Sequence, residues 1–182
     1  MPNLTTHIHF GLLFFERTQY DIYLPAFIEG AVTPGFHTRI DTYTIGTSAD
    51  LDTTYTNIKE SHCGSYNFHL GYLSHIFLDH FFDAYRAEIF LFKSPLMEER
   101  MRAMSMAEQI DIMHMKKYET DLQSLSEKYG EEFSCLYHAV APEGDSMEIV
   151  KEYENLMNVL VKKFIQFLKA LNHRPVSDNL IT

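Results

Sequence analysis

The sequence predicts an all-α protein, a single-domain multi-helix bundle spanning residues 1–182 and carrying one long loop. Three observations predict it. Apolar residues recur at helical spacing in several segments, Pro95 and Gly130 stand where such segments should stop, and a stretch rich in Thr, Gly, Asp and Tyr, from Thr33 to Ser65, breaks the pattern. With 182 residues, 46% of them hydrophobic and 14% aromatic, the chain can bury a real core of about five to seven helices.

Residues 4–17 form the first expected helix, because Leu4, Ile8, Gly11 and Phe15 recur on one stripe and Asn3 is placed to cap the first turn. At about 100° per residue, His7 falls on that stripe. His9 falls opposite, with Thr5 and Glu16, so His7 is expected to point inward and His9 to be exposed. Residues 21–31 read as a second short helix, with Pro25 near its start and Gly30 near its end. The stretch from Thr33 to Ser65 follows as the long loop, with room for a small β-hairpin; loops of that length in compact domains are either functional or disordered.

Residues 67–92 read as a long helix with apolar residues on every side, as expected of one at the centre of a bundle, and Pro95 marks its end. A third major helix should run from Leu96 to Tyr129 with a break, stopped by Gly130. Beyond it, "EEFSCLYHAV" reads as a further helical turn or two, up to Pro142. The last helix opens with Asp145 and Glu148 in capping-box spacing and carries Val150, Met157, Val161, Phe164, Leu168 and Leu171 on one stripe. The tail "RPVSDNLIT" is expected to fray.

Charge and cysteine content exclude several function classes. Fifteen Lys plus Arg against 25 Asp plus Glu give a net charge of -10, which opposes adhesion to nucleic acid or anionic lipid. Cys63 and Cys135 form no C-x-x-C pair, so neither a disulfide framework nor a cysteine zinc knuckle is indicated, and the usage fits a reducing cytoplasm. The apolar N-terminal run lacks a basic region and a cleavage site. No apolar stretch reaches the ~20 residues that span a bilayer, so a soluble, cytoplasmic protein without a transmembrane segment is expected. The oligomeric state is left open.

The chemistry is concentrated in "HLGYLSHIFLDHFF", residues 69–82. His75 and Asp79 lie four apart and therefore project from one face, about one helical turn from each other. A lone carboxylate in an apolar core costs several kcal/mol or takes up a proton, so something must compensate it. One candidate is a His–Asp hydrogen bond. The other is a divalent cation, which binds neutral imidazole and carboxylate together. His7 on the first helix and His62 in "KESHCG" are further inward candidates, and facing helices of a bundle can bring such positions to one point. Three imidazoles and a carboxylate would suit zinc, iron or manganese.

The segments "TTHIHFG", "FIEGAVTPG", "KESH", "HLGYLSHIFLDHFF" and "KKYETDLQSLSEKYG" resemble, in order and style, the zinc-dependent phospholipase C-like proteins, a helical family related to bacterial phospholipases C and zinc nucleases. The resemblance covers roughly residues 1–130 and is strongest at "LGYLSHIFLDH". It implies an all-helical fold with a buried metal site, zinc being the first choice. It also implies metal-dependent hydrolysis of a phosphate ester or phosphodiester by metal-supplied hydroxide, with no Ser or Cys nucleophile. Position by position it points to His7, His62, His75 and Asp79 as metal ligands, with Asp79 also the residue to bridge ions or orient water. Where the family shows Gly-Ala-x-x-Pro-Asp this chain reads "GAVTPG", so Gly35 replaces an expected acidic ligand. His37 and Asp41 in the long loop are the second-line ligands that would replace it.

Other residues have plainer expected roles. His69 and His80 lie about 120° and 140° round the helix from His75 and are expected to pack against a neighbouring helix or meet solvent. His114, Tyr118 and Asp121 share one side of the third helix, in a hydrogen-bonded packing role. Cys63 is expected to be buried. Two rival functions stand beside the phosphoesterase. One is a helical metal-binding or interaction protein without catalysis, motivated by Gly35. The other is an HD-type phosphohydrolase, against which Asp79 and His80 run in the reverse order.

Overall fold

The computed structural model describes residues 2–18, 21–36, 65–86, 93–130, 133 and 147–170. Among them are six helices and no strand: α1 (Leu4–Arg17), α2 (Leu24–Phe36), α3 (Tyr66–Arg86), α4 (Met97–Lys116), α5 (Gln123–Tyr129) and α6 (Met147–Ala170). The all-α bundle expected from periodicity is what forms. His37, Asp41, His62, Cys63, Cys135, the hairpin considered for the long loop and the segment 134–142 lie outside the described residues.

Local chemistry sets the ends of α1. The Asn3 side chain accepts the Thr6 N–H at 2.9 Å and the hydroxyls of Thr5 and Thr6 at 2.6 Å, satisfying the open first turn. At the other end, both the N–H and the hydroxyl of Thr18 donate to the Phe14 carbonyl. Between them residues 5–14 are all buried, because α1 packs against α2, α3, α4 and α6. The central position expected for 67–92 is thus shared by α1. An apolar stripe with a solvated opposite face does not describe such a helix, and the expectation that His9 is exposed is wrong: its relative exposure is 2%.

The second correction concerns Gly30. It does not end α2, which runs on through Pro34 to Phe36. Gly30 sits where α2 crosses α3, opposite Gly71. A Cβ on Gly30 would lie 2.0 Å from the Phe68 carbonyl oxygen, and one on Gly71 would lie 1.8 Å from that of Phe27. Two glycines therefore let the backbones touch, and close packing offsets the roughly 1 kcal/mol by which glycine disfavours a helix.

Where described, the remaining elements follow their sequence signals; residues 87–92, Asp145, Leu171 and the tail lie outside the described residues. α3 starts on Ser65, whose hydroxyl accepts the Phe68 N–H. The expected break in the third helix is the turn between α4 and α5, and Gly130, at φ 64°, stops α5. Met157, Val161, Phe164 and Leu168 of α6 are buried as one stripe, against Phe10 and Phe14 of α1 and Phe77 of α3. Phe164 meets Phe77 at 5.0 Å and Phe14 at 5.1 Å between ring centroids, so the aromatic centre of the core ties α1, α3 and α6 together. No helix among the described residues is long and apolar enough to cross a membrane.

Candidate metal centre

Three of the residues singled out in the sequence come together: His7 from α1 and His75 and Asp79 from α3. One ligand atom from each lies within 4.8 Å of the other two, a cluster that could hold a metal ion. The helical period supplies His75 and Asp79 on one face, and α1 brings His7 against them. The glycine crossing supplies the fourth element, because it lets the Ala31 carbonyl of α2 reach His75 Nδ1 at 2.6 Å.

That last contact fixes the proton inventory. A carbonyl only accepts, so His75 Nδ1 carries the hydrogen, and in the neutral ring Nε2 presents a bare lone pair. It faces Asp79 Oδ2, another acceptor, at 3.3 Å, while His7 Nε2 faces Asp79 Oδ1 at 3.3 Å. A bare His75 Nε2 and a carboxylate oxygen are both acceptors and need a proton or a cation between them, whereas a neutral His7 can donate its own Nε2–H to Oδ1.

Each option has its own ordinary spacing. An imidazolium–carboxylate hydrogen bond is about 2.7–2.9 Å long. Two donors each about 2.05 Å from a common zinc ion, at the tetrahedral angle, lie about 3.3 Å apart. The two gaps to Asp79 are 3.3 Å each and run to different oxygens, Oδ1 from His7 and Oδ2 from His75, a spacing that a long hydrogen bond or a shared ion can fill. A second His–Asp pair, between α1 and α4, gives the contrast: His9 Nδ1 meets Asp111 Oδ1 at 2.6 Å, a direct hydrogen bond.

Electrostatics hold the cluster in its ligating forms. Burial first, and then the neighbouring His75 imidazole, push His7 down to about 4, so its ring is neutral at pH 7 and able to bind metal. Burial opposes charge on Asp79, but hydrogen bonding and positive charge contributed by His7 and His75 more than offset this and hold its carboxyl below the usual carboxylate range. The rings of His7 and His75 stack with centroids 3.6 Å apart and planes 5° from parallel. His7 Nδ1 is buried and has no hydrogen-bond partner among the described residues. The donor set of two imidazoles and one carboxylate fits zinc, iron(II) or manganese(II), and the Nδ1–H of His75 given to a carbonyl is the outer-shell arrangement that metal-ligating histidines use.

No family model, curated protein or solved structure matches the chain. The site therefore stands on its own geometry.

The other histidines do different work. His69 is buried, and His80 sits edge-on to Phe81, both in packing roles. His114 Nε2 lies 3.2 Å from Glu16 Oε1, and Tyr118 donates its hydroxyl to the same oxygen at 2.7 Å, while Asp121 is exposed. Burial and then the His9 ring beside it push His114 well below the ordinary histidine value. None of these enters the cluster. Gly35, standing where the resembled family has an acidic ligand, lies in the last turn of α2.

Sequence reasoning missed the second polar centre, built on Asp111. Its carboxylate is fully buried and accepts from Thr6, His9 and Tyr153. The available signal was the line Ala103, Ala107, Asp111, Met115 on α4, a carboxylate in a row of small and apolar residues four apart, all of them buried.

Proposed function

We propose that this protein is a metal-dependent hydrolase whose centre is His7, His75 and Asp79, with zinc as the ion and iron(II) or manganese(II) as the alternatives. What supports the metal is the gathering of two imidazoles and one carboxylate from two helices at one largely buried point, with His7 Nε2 and His75 Nε2 each 3.3 Å from an Asp79 oxygen. Three protein donors are gathered among the described residues, and an ion held by those three alone would keep a position open, the pattern of catalytic rather than structural sites. A bound divalent ion there would supply Lewis acidity and acidify a water ligand.

The chain's own residues prepare the site. His75 is held in one tautomer by Ala31, His7 stays neutral, and Asp79 stays ionised with its side chain 13% exposed, so the carboxylate is the cluster's opening to solvent. The choice of a phosphate ester or phosphodiester as substrate rests on the family resemblance of the sequence, as does the inclusion of His62 among the ligands. A small cytoplasmic phosphoester or nucleotide fits the acidic chain, whose two cysteines form no C-x-x-C motif, better than nucleic acid does.

The test is metal analysis of purified protein followed by assay of bis-p-nitrophenyl phosphate with zinc, manganese and iron. Bound metal with turnover that is lost in His75→Ala supports the proposal. Gly35 in place of an acidic ligand favours a second reading, a metal-binding protein without catalysis, and metal without turnover on any phosphoester would select it.

A further inference from the structure

Asp111 is a fully buried carboxylate that the proposed chemistry does not use. It projects from α4 toward α1 and α6. Its Oδ1 accepts from His9 Nδ1 at 2.6 Å and from the Tyr153 hydroxyl at 2.8 Å, and its Oδ2 accepts from Thr6 Oγ1 at 2.7 Å. The Tyr153 oxygen is also 2.9 Å from Oδ2, so the phenol bridges both carboxylate oxygens. Thr6, His9 and Tyr153 are themselves buried. Such a group is expensive to bury, and its donors offset that cost only if they are held in place.

Two of those donors bracket His7 on α1. Thr6 and His9 are three residues apart, about 4.5 Å along the helix and about 60° round it, so one carboxylate gripping both fixes α1 in rotation and in axial position. His7 leaves the same helix about 160° round from His9, toward α3. A rotation of α1 by about 10° would carry the His7 ring nitrogen sideways by on the order of 1 Å, enough to spoil a preorganised ligand set.

We infer that Asp111 is a positioning residue for the His7–His75–Asp79 centre: it clamps the far side of α1 through Thr6 and His9, against Tyr153, and so sets where His7 stands. This rests on the reading of that cluster as a metal centre. It assigns the sequence pattern His7–x–His9 two separate tasks, one imidazole for the ion and one for the clamp.

The test uses Asp111→Asn in the full chain, which keeps the side-chain size and removes the charge that holds three donors. In protein stripped with chelator, cobalt(II) affinity should fall about tenfold, the low end of what loss of outer-shell support costs. The visible spectrum of bound cobalt should change as well. If Asp111 only stabilised the fold, the melting temperature would drop while affinity and spectrum stayed at wild-type values, and that result overturns the inference. Should Asp111→Asn fail to fold, Tyr153→Phe and Thr6→Val each remove one donor and are read in the same way: wild-type affinity in both overturns it. If the wild type itself takes up no cobalt, the metal reading fails separately. The clamp is then decided in metal-free protein from the ring proton and nitrogen shifts of His7 at neutral pH, which the stacked His75 ring makes sensitive to rotation of α1. Altered shifts in Asp111→Asn support the clamp, and unchanged shifts overturn it.

Discussion

His7 and His75 come from different helices and lie face to face, 3.6 Å between ring centroids, with both Nε2 atoms 3.3 Å from oxygens of the Asp79 carboxylate. An in-plane lone pair from each of two parallel rings cannot meet at one ion, so a shared ion would require one imidazole to tilt, while the three donors themselves are already gathered at one point and little further ordering is needed.

Metal should therefore add stability to the folded chain. At zinc concentrations about 100 times Kd the gain is about 2.7 kcal/mol, which for a chain of this size raises Tm by several degrees. Differential scanning calorimetry with zinc and with chelator checks this. Identical melting curves for wild type in both conditions would show that the folded state has no preference for the ion.

The glycine crossing gives a prediction about the backbone. Gly71→Ala puts a methyl group 1.8 Å from a main-chain oxygen, which cannot move aside without parting α2 from α3, so a cost of about 3 kcal/mol or more is expected. It should also pull Ala31 away from His75 and weaken metal binding. Gly11→Ala meets the Phe27 ring at 2.9 Å, a side chain that can yield, and should cost about 1 kcal/mol or less, with metal affinity unchanged. Urea unfolding and zinc titration of both variants test the contrast.

Acidification should destabilise the metal-free fold through His7. Its folded-state pKa is about 4 and its unfolded value 6.5, so between these the unfolded chain binds the extra proton. Stability is full above pH 6.5 and falls as pH drops toward 4, by on the order of 3 kcal/mol at most from this group. Depression of Asp79 adds a loss of the same sign below the ordinary carboxylate pKa. In His7→Gln the slope of unfolding free energy against pH between 6.5 and 4.5 should be shallower than in wild type. Equal slopes would mean that His7 is not held neutral by burial.

Asn3 caps the helix that carries His7, accepting three donors at once. Asn3→Ala should cost about 1–2 kcal/mol, and Asn3→Asp much less, because the carboxylate keeps the acceptor and suits the positive helix end. Thermal melts of the two variants decide it, and equal losses would contradict the cap.

How far the sequence revealed this site depends on which contacts are local. His75 and Asp79 were legible because the helical period alone places them together, and Gly130 because only glycine readily adopts the left-handed conformation seen there. His7 was legible as an inward histidine, though its meeting with α3 depends on packing. His9 was misread because the one-face argument assumes a solvated opposite face, and α1 has none. Its compensation comes from Asp111 on a different helix, which no local pattern announces. Gly30 was misread for a related reason: a glycine that ends a helix and one that admits another backbone look the same in sequence. The Ala31 carbonyl that sets the His75 tautomer is main chain and has no sequence signature at all.

Zinc titration of chelator-stripped protein by isothermal calorimetry, in wild type and Asp79→Ala, tests the central claim most directly. The account predicts one ion for each wild-type chain at this cluster, with that binding lost in the variant. No zinc uptake by the wild type, or the same stoichiometry and affinity in Asp79→Ala, would contradict it.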